Sequence, residues 1–340
     1  MSRQAVIDVG TNSVKFHVGE REPDGTWTAV VDRAEVSRLG EGIQETGSIA
    51  PAAMERTAQA IAGMAAEAAR LGVESVTTVG TMGLRTATNS QAFLDLVKTR
   101  CGVTIEVISG DEECRLAYLA VRSATGLTDG NLVVFDTGGG SSQFTFGAGD
   151  RVEGQFSLNV GAVRYTEQFH LDQAVTADIL KLALQAIASD LHSLNGHRSF
   201  AETAHMALQI LARLRHQPAP PERDAAQDSL VGMGGAVTNI TAVMLGLPKY
   251  DPDKVQGAVI DRTEIDRQIE LYRTLPAEAR RQIVGLQPKR AEVILAGACI
   301  VRTIMDKLGT SSLTVSDRGL RHGLLIDRFG GQLAKSSQAT

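Results

Sequence analysis

Phe135-Asp136-Thr137-Gly138-Gly139-Gly140-Ser141-Ser142-Gln143-Phe144 is the stretch on which the fold turns. The apolar residues before it, Leu132 to Phe135, predict a buried strand, and the glycines after it force a tight turn. A turn without Cβ atoms lets backbone N–H groups approach an anion, and the hydroxyls of Ser141 and Ser142 add donors at the same spot. Asp136, the last strand residue, sets a carboxylate at the turn, where a divalent cation bridging to phosphate oxygens is its natural partner. Taken alone, the stretch reads equally well as a plain hairpin.

The chain carries the same device twice. Ile7-Asp8-Val9-Gly10-Thr11-Asn12-Ser13-Val14-Lys15-Phe16 aligns without a gap at a constant offset of 128 (136 − 8), matching Asp8 with Asp136, Gly10 with Gly138, Ser13 with Ser141, Phe16 with Phe144 and Gly19 with Gly147. Each copy continues alike, with a second strand (Ser13 to Val18; Ser142 to Phe146), a Gly/Asp turn and a third strand (Trp27 to Arg33; Val152 to Val160). Aspartate, glycine and serine all keep step, so duplication into two related domains outweighs chance. Leu230-Val-Gly-Met-Gly-Gly-Ala-Val-Thr-Asn239 repeats strand, glycine turn and helix entry a third time, and its Gly234 and Gly235 can bring a helix N-terminus to an anion or a nucleoside. The glycine spacing is not that of a dinucleotide fingerprint.

With 340 residues there is room for two ordinary domains, and 43% hydrophobic and 21% charged content are those of a soluble globular protein. A net charge of −5 argues against a general nucleic-acid binder, though not against a local basic groove. Cys101, Cys114 and Cys299 show neither disulfide nor zinc spacing, which fits a reducing compartment, and a cytoplasmic location is expected. No apolar segment is long enough to span a bilayer, so no membrane association is expected.

Between the hairpins, helical spacing predicts helices over Ala52 to Leu71 and Asn89 to Thr99, with strands at Ser75 to Gly80 and Thr104 to Ile108, an α/β alternation. Arg85 follows a strand end, where such sheets open onto a ligand crevice. Ser109 and Glu112 form a capping-box pattern at the next helix. Glu113 falls on that helix's inward face with Leu116, Ala117 and Ala120, where partial burial raises a carboxylate's pKa enough for it to take a proton from water; an exposed first-turn glutamate is the alternative. Gly126 to Gly130 reads as the crossing between domains. Further helices are expected at Gly161 to Glu167, Thr176 to Leu194, Ala201 to Leu214, Thr263 to Leu275, Glu292 to Leu308 and up to Arg328, with a loop at His216 to Arg223, a strand at Leu313 to Val315 and a disordered tail after Gly330. His192, His197 and His205 lack metal-ligand spacing and read as surface residues.

Together these motifs resemble the exopolyphosphatase and guanosine pentaphosphate phosphohydrolase (Ppx/GppA) family of the sugar kinase, Hsp70 and actin superfamily. The resemblance runs from Val6 to about Leu325 and rests on DVGTNSVKF (Asp8 to Phe16), RLGEG (Arg38 to Gly42), the Thr81 to Arg85 turn, ISGDEECRLAYL (Ile108 to Leu119), FDTGGGSS (Phe135 to Ser142), LNVGAVRYTE (Leu158 to Glu167), GMGG (Gly232 to Gly235), PKRAEVILAG (Pro288 to Gly297) and SDRGLRHGLL (Ser316 to Leu325). It implies two actin-like (ribonuclease H-like) domains with mixed five-stranded sheets flanked by helices, residues 1–125 plus about 310–340 forming one and 126–309 the other, with the active site in the cleft between them. It implies magnesium-assisted removal of a terminal phosphate, with Glu113 as catalytic base and Asp8 and Asp136 serving the metal or its waters. The turns at Gly10, Thr11, Asn12 and Ser13, with Lys15, and at Gly138, Gly139, Gly140, Ser141 and Ser142 would hold phosphates, joined by Arg85, Gly234 and Gly235. Substrates would be inorganic polyphosphate or guanosine pentaphosphate, acted on by a homodimer, and a weakly hydrolysing sensor of either ligand is the non-enzymatic alternative.

One position departs from the family. Gln143 stands where the resemblance calls for Glu, and an amide coordinates a metal only weakly and without charge. Metal affinity is therefore expected to drop, or another carboxylate such as Glu41 to supply the charge. Arg38, Arg85, Lys289, Arg290 and Arg321 are candidates to line a polyanion's path.

Overall fold

The computed structural model describes residues 2–125, 131–149, 151–192 and 229–330. The expected crossing at Gly126 to Gly130, the helix at Ala201 to Leu214, the loop at His216 to Arg223, His197, His205 and the tail lie outside the described residues.

Two sheets carry the architecture. The first is ordered β3-β2-β1-β4-β5, from β1 (Ser2–Val9), β2 (Ser13–Arg21), β3 (Trp27–Val36), β4 (Ser75–Gly80) and β5 (Glu106–Val107). β1 pairs antiparallel with β2 and parallel with β4, so the sheet is mixed. The second contains β6 (Asn131–Thr137), β7 (Ser142–Ala148), β8 (Arg151–Leu158), β9 (Ser229–Met233), β10 (Val259–Asp261) and β11 (Ser312–Val315), ordered β10-β11-β9-β6-β7-β8. Its run β8-β7-β6-β9-β11 repeats the topology of the first sheet, with the same antiparallel and parallel pairings. It has six strands where five were expected: Val259–Asp261 adds an antiparallel edge to β11, because Ile260 buries completely beneath it. β11 belongs to this second sheet, so the return to the first half comes with the Leu320–Phe329 helix and not near residue 310.

The duplication extends to irregularities. The ladder shifts register between Val18 and Gly19 in the first copy and between Phe146 and Gly147 in the second, positions again 128 apart (147 − 19). A Cβ on Gly19 would lie 2.6 Å from Leu325 Cδ2, and one on Gly147 2.5 Å from the Tyr118 hydroxyl. Each glycine thus marks a bulge against a helix packed on the sheet.

Helices cover the sheets as their apolar periodicity dictates. Pro51–Arg70, with proline in its first turn, buries Ala58, Ile61, Met64 and Ala68 against the first sheet. Ile294–Leu308 buries nearly its whole circumference in the core of the second half and stops at Gly309, whose φ is 67°. The Arg262–Arg273 helix is capped by Asp261, which accepts from Glu264 N at 2.8 Å; Thr263, the expected first residue, already lies inside the helix. Gly110–Thr125 joins the halves, with Leu116 packed among Val6, Val79 and Leu324, and Ala117, Tyr118 and Val121 against Val134 and Val231. Gly323 of the Leu320–Phe329 helix lies directly on the Leu116 backbone, so those two helices cross at backbone contact. Among the described residues, no helix is long and apolar enough to cross a membrane.

Candidate active site

The two glycine hairpins have the same local geometry. Gly10 N–H donates to Ser13 O at 3.1 Å and Gly138 N–H to Ser141 O at 2.9 Å, each closing the turn on itself. Asp8 sits across the ladder from Lys15, and Asp136 from Gln143. The turns meet: a Cβ on Gly139 would lie 2.8 Å from Asn12 Cβ, and one on Gly140 2.6 Å from Thr11 Oγ1. Only glycine lets the backbones approach so closely. The Ala162–Phe169 helix anchors the second turn from behind, Ala162 N donating to Gly138 O at 3.1 Å and Val163 N to Gly139 O at 2.8 Å.

The third glycine turn closes the cleft. Gly234 has φ 92°, and a Cβ there would collide with Asp136 Oδ1 and Thr137 O, so a side chain is excluded on both counts. Next to it, the Arg290 guanidinium lies flat over Gly235, its Cζ, Nη2 and Nη1 falling 2.6, 2.8 and 2.9 Å from where a Cβ would be. Arg290 Nη2 also donates to Ser13 Oγ at 3.3 Å, which ties the second half of the chain to the first hairpin.

Three carboxylates face this cleft. Ser109 Oγ accepts from Glu112 N at 3.1 Å and so caps the Gly110–Thr125 helix, which puts Glu113 in the first turn on the inward face. Glu113 is 8% exposed and ion-paired with Arg85 Nη1, which also donates to Ile108 O at 2.9 Å. Burial pushes the Glu113 carboxyl up to about 7, with Arg85 opposing and the negative charges of Asp8 and Asp136 adding to the rise. Asp8 is 1% exposed; its Oδ2 accepts from Lys15 Nζ at 2.9 Å and its Oδ1 has no hydrogen-bond partner among the described residues. Burial raises the pKa of Asp136, Lys15 holding it down and Asp8 adding to the rise, and among the described residues no side chain pairs with it. Gln143 Nε2 donates to Ser141 Oγ at 2.7 Å and Ser157 Oγ at 3.0 Å.

Asp8, Gly10, Thr11, Asn12, Ser13, Lys15, Glu113, Asp136, Gly138, Gly139, Gly140, Ser141, Gln143, Gly234 and Gly235 all line one cleft, together with Arg290. Two residues expected to bind phosphate are engaged elsewhere. Ser142 is fully buried and spends its hydroxyl on Val160 O at 2.7 Å, because alternation along β7 turns it away from the face that Gln143 presents. Arg85 is held on Glu113 and Ile108 O, so it orients the carboxylate. Glu112 makes a bidentate pair with Arg115 at 2.8 and 2.7 Å in place of the reciprocal capping bond. Glu41 is not the substitute carboxylate for position 143, since it pairs with Arg56 at 2.7 Å in a separate surface groove. Of the candidates for a polyanion path, Arg38 is paired with Glu292 and Arg321 with Asp32, while Lys289 lines the outer groove with Arg38, Arg56 and Arg281. Sequence reading missed Ser157, which β8 places beside Gln143, and the trio His17, Asp32 and His322, in which a buried imidazole meets an exposed aspartate. No spacing announces the trio, which comes together only when the last helix packs on β2 and β3.

The donor set suits a hard divalent cation: Asp8 Oδ1, buried and without a partner among the described residues, the Asp136 carboxylate and an amide at Gln143.

The profile of the Ppx/GppA phosphatase family matches residues 20–330. The chain belongs to that family. The crystal structure of the Aquifex aeolicus member of the Ppx/GppA family is similar over 96% of this chain and 97% of its own, with 30% identity and a TM-score of 0.74. Exopolyphosphatase 2 of Mycobacterium tuberculosis is 26% identical over 97% of this chain and 99% of its own length. The guanosine-5'-triphosphate,3'-diphosphate pyrophosphatase of Vibrio parahaemolyticus is 28% identical over 95% of this chain, which spans only 58% of that relative. A bifunctional 3-dehydroquinate synthase/phosphatase of Fusobacterium nucleatum matches over 95% of this chain and 46% of its own length.

Proposed function

We propose that this Ppx/GppA phosphatase is an exopolyphosphatase that removes the terminal phosphate of inorganic polyphosphate, with Glu113 as the general base. The observation that carries the reading is the convergence of Asp8, Asp136 and Glu113 on two opposed glycine turns, with the Glu113 pKa raised to about 7. Phosphoryl transfer asks mainly for positioning and charge neutralisation, and this cleft offers both. Backbone N–H groups of the two hairpins hold the terminal phosphoryl oxygens, and Lys15 and Arg290 oppose their charge. Magnesium held by Asp8, Asp136 and the Gln143 amide oxygen would supply further charge neutralisation. Glu113, oriented by Arg85, accepts a proton from the attacking water as the new O–P bond forms. The bridging O–P bond breaks, and the shortened chain leaves as an anion that needs no proton.

The match to the mycobacterial exopolyphosphatase along nearly its full length supports this substrate. The competing reading is removal of the terminal phosphate of guanosine pentaphosphate, favoured by the turn at Gly234 and Gly235 and by the Vibrio relative, whose extra length this chain does not span. Phosphate release from long-chain polyphosphate, with guanosine pentaphosphate as competitor, separates them. The proposed reading expects polyphosphate to have the higher kcat/KM; a preference for the nucleotide would replace it with the second.

A further inference from the structure

Lys15 and Gln143 occupy the same place in the two copies of the hairpin (143 − 15 = 128), each across the ladder from its copy's aspartate. The copies therefore differ in charge at one matched position. In the first, an ammonium sits 2.9 Å from the carboxylate; in the second, an amide faces a carboxylate and turns its nitrogen towards Ser141 and Ser157. Of the three carboxylates in the cleft, Asp8 has Lys15 and Glu113 has Arg85, while Asp136 has no ionic partner among the described residues.

We propose that Lys15 acts as a built-in cation on Asp8, so that the cleft takes one divalent ion instead of a pair, seated on Asp136 with the free Oδ1 of Asp8 and the uncharged Gln143 amide in support. The inference rests on the phosphatase reading of this cleft and deepens it. A two-metal site for phosphoryl transfer needs carboxylates that bridge ions about 4 Å apart. Asp8 is deprived of that role because one oxygen already accepts from Lys15 and only the other is free. Position 143 offers no charge to hold a second ion. The charge balance agrees: the three carboxylates are matched by Lys15, Arg85 and Arg290, a net of 0 (3 − 3), so one divalent ion brings the charge that a doubly ionised terminal phosphoryl group neutralises. A second ion would leave the cleft with two uncompensated positive charges beside a half-buried ammonium, which a site of lowered dielectric disfavours.

The test uses Mn²⁺ and the full-length protein without substrate, with stoichiometry from calorimetry and nuclearity from electron paramagnetic resonance. Wild type is expected to bind one Mn²⁺ per chain with a six-line, uncoupled spectrum, and Lys15→Arg to keep that behaviour. Lys15→Met, checked for folding by circular dichroism, is expected to admit a second Mn²⁺ or to bind the first about tenfold more tightly. Two ions in the wild type with an exchange-coupled spectrum, no ion at all, or a Lys15→Met protein that binds as the wild type does, would each overturn the proposal. Wild-type stoichiometry decides the matter even if Lys15→Met does not fold. Because no turnover is measured, one bound Mn²⁺ in a protein that leaves polyphosphate intact would uphold the metal count and remove the exopolyphosphatase reading.

Discussion

Glu113 combines burial, an arginine partner and two nearby carboxylates, and the balance between them sets the working pH. A base must be ionised to act, and its folded-state pKa is raised to about 7. The kcat/KM of the free enzyme is therefore expected to fall about tenfold per unit as pH drops below about 7. A pH–rate profile flat down to pH 5 would remove Glu113 from the role. Gln143 offers a second handle. Its Nε2 donates to Ser141 and Ser157, two hydroxyls that can rotate to donate in turn to a carboxylate. Gln143→Glu is thus accommodated, and the Mg²⁺ concentration for half-maximal activity is expected to fall about tenfold; an unchanged requirement would place position 143 outside the metal's reach.

At the scale of elements, the repeated strand, turn and strand was legible because both copies had to keep the same aspartate, glycine and serine for backbone reasons. The match of Gly19 with Gly147 has a physical cause in the bulge each one makes. Glu113 was legible from helical spacing, since the capped start at Ser109 fixes which face it shares with Leu116. What the sequence concealed depends on partners far along the chain. Arg85 looked like a phosphate ligand until Glu113, 28 residues away, claimed it, and Arg321 until Asp32 did, 289 residues away. Val259–Asp261 was too short for its pattern to announce a sixth strand. The third glycine turn yields a prediction of its own. Gly234→Ala puts a Cβ at positive φ against Asp136 Oδ1 and is expected to cost about 1–3 kcal/mol, read as a lower melting temperature, while also weakening divalent-cation binding. A variant as stable as wild type with intact cation binding would show that the turn is not built around that carboxylate.

Over the whole molecule, the two halves are held together across the cleft by Arg38 with Glu292, by Glu167 accepting from Gly42 N at 3.3 Å and by Arg290 donating to Ser13. The cleft sits between these ties, and enclosing three carboxylates there costs stability. A carboxyl whose pKa rises from 4.5 to about 7 on folding is favoured while protonated, so its contribution is retained below about pH 4.5 and lost as pH rises through about 7. Glu113→Gln, which mimics the protonated form, is therefore expected to stabilise the protein at pH 8 by about 3 kcal/mol and not at pH 4, as thermal melts at the two pH values would show. Equal shifts at both would contradict the raised pKa. The same substitution tests the central claim most directly when phosphate release from long-chain polyphosphate is measured at pH 8 with Mg²⁺ present. The convergence of Asp8, Asp136 and Glu113 on the two turns predicts that Glu113→Gln binds polyphosphate as wild type does and releases phosphate about 10²–10⁴-fold more slowly; release at the wild-type rate would contradict it.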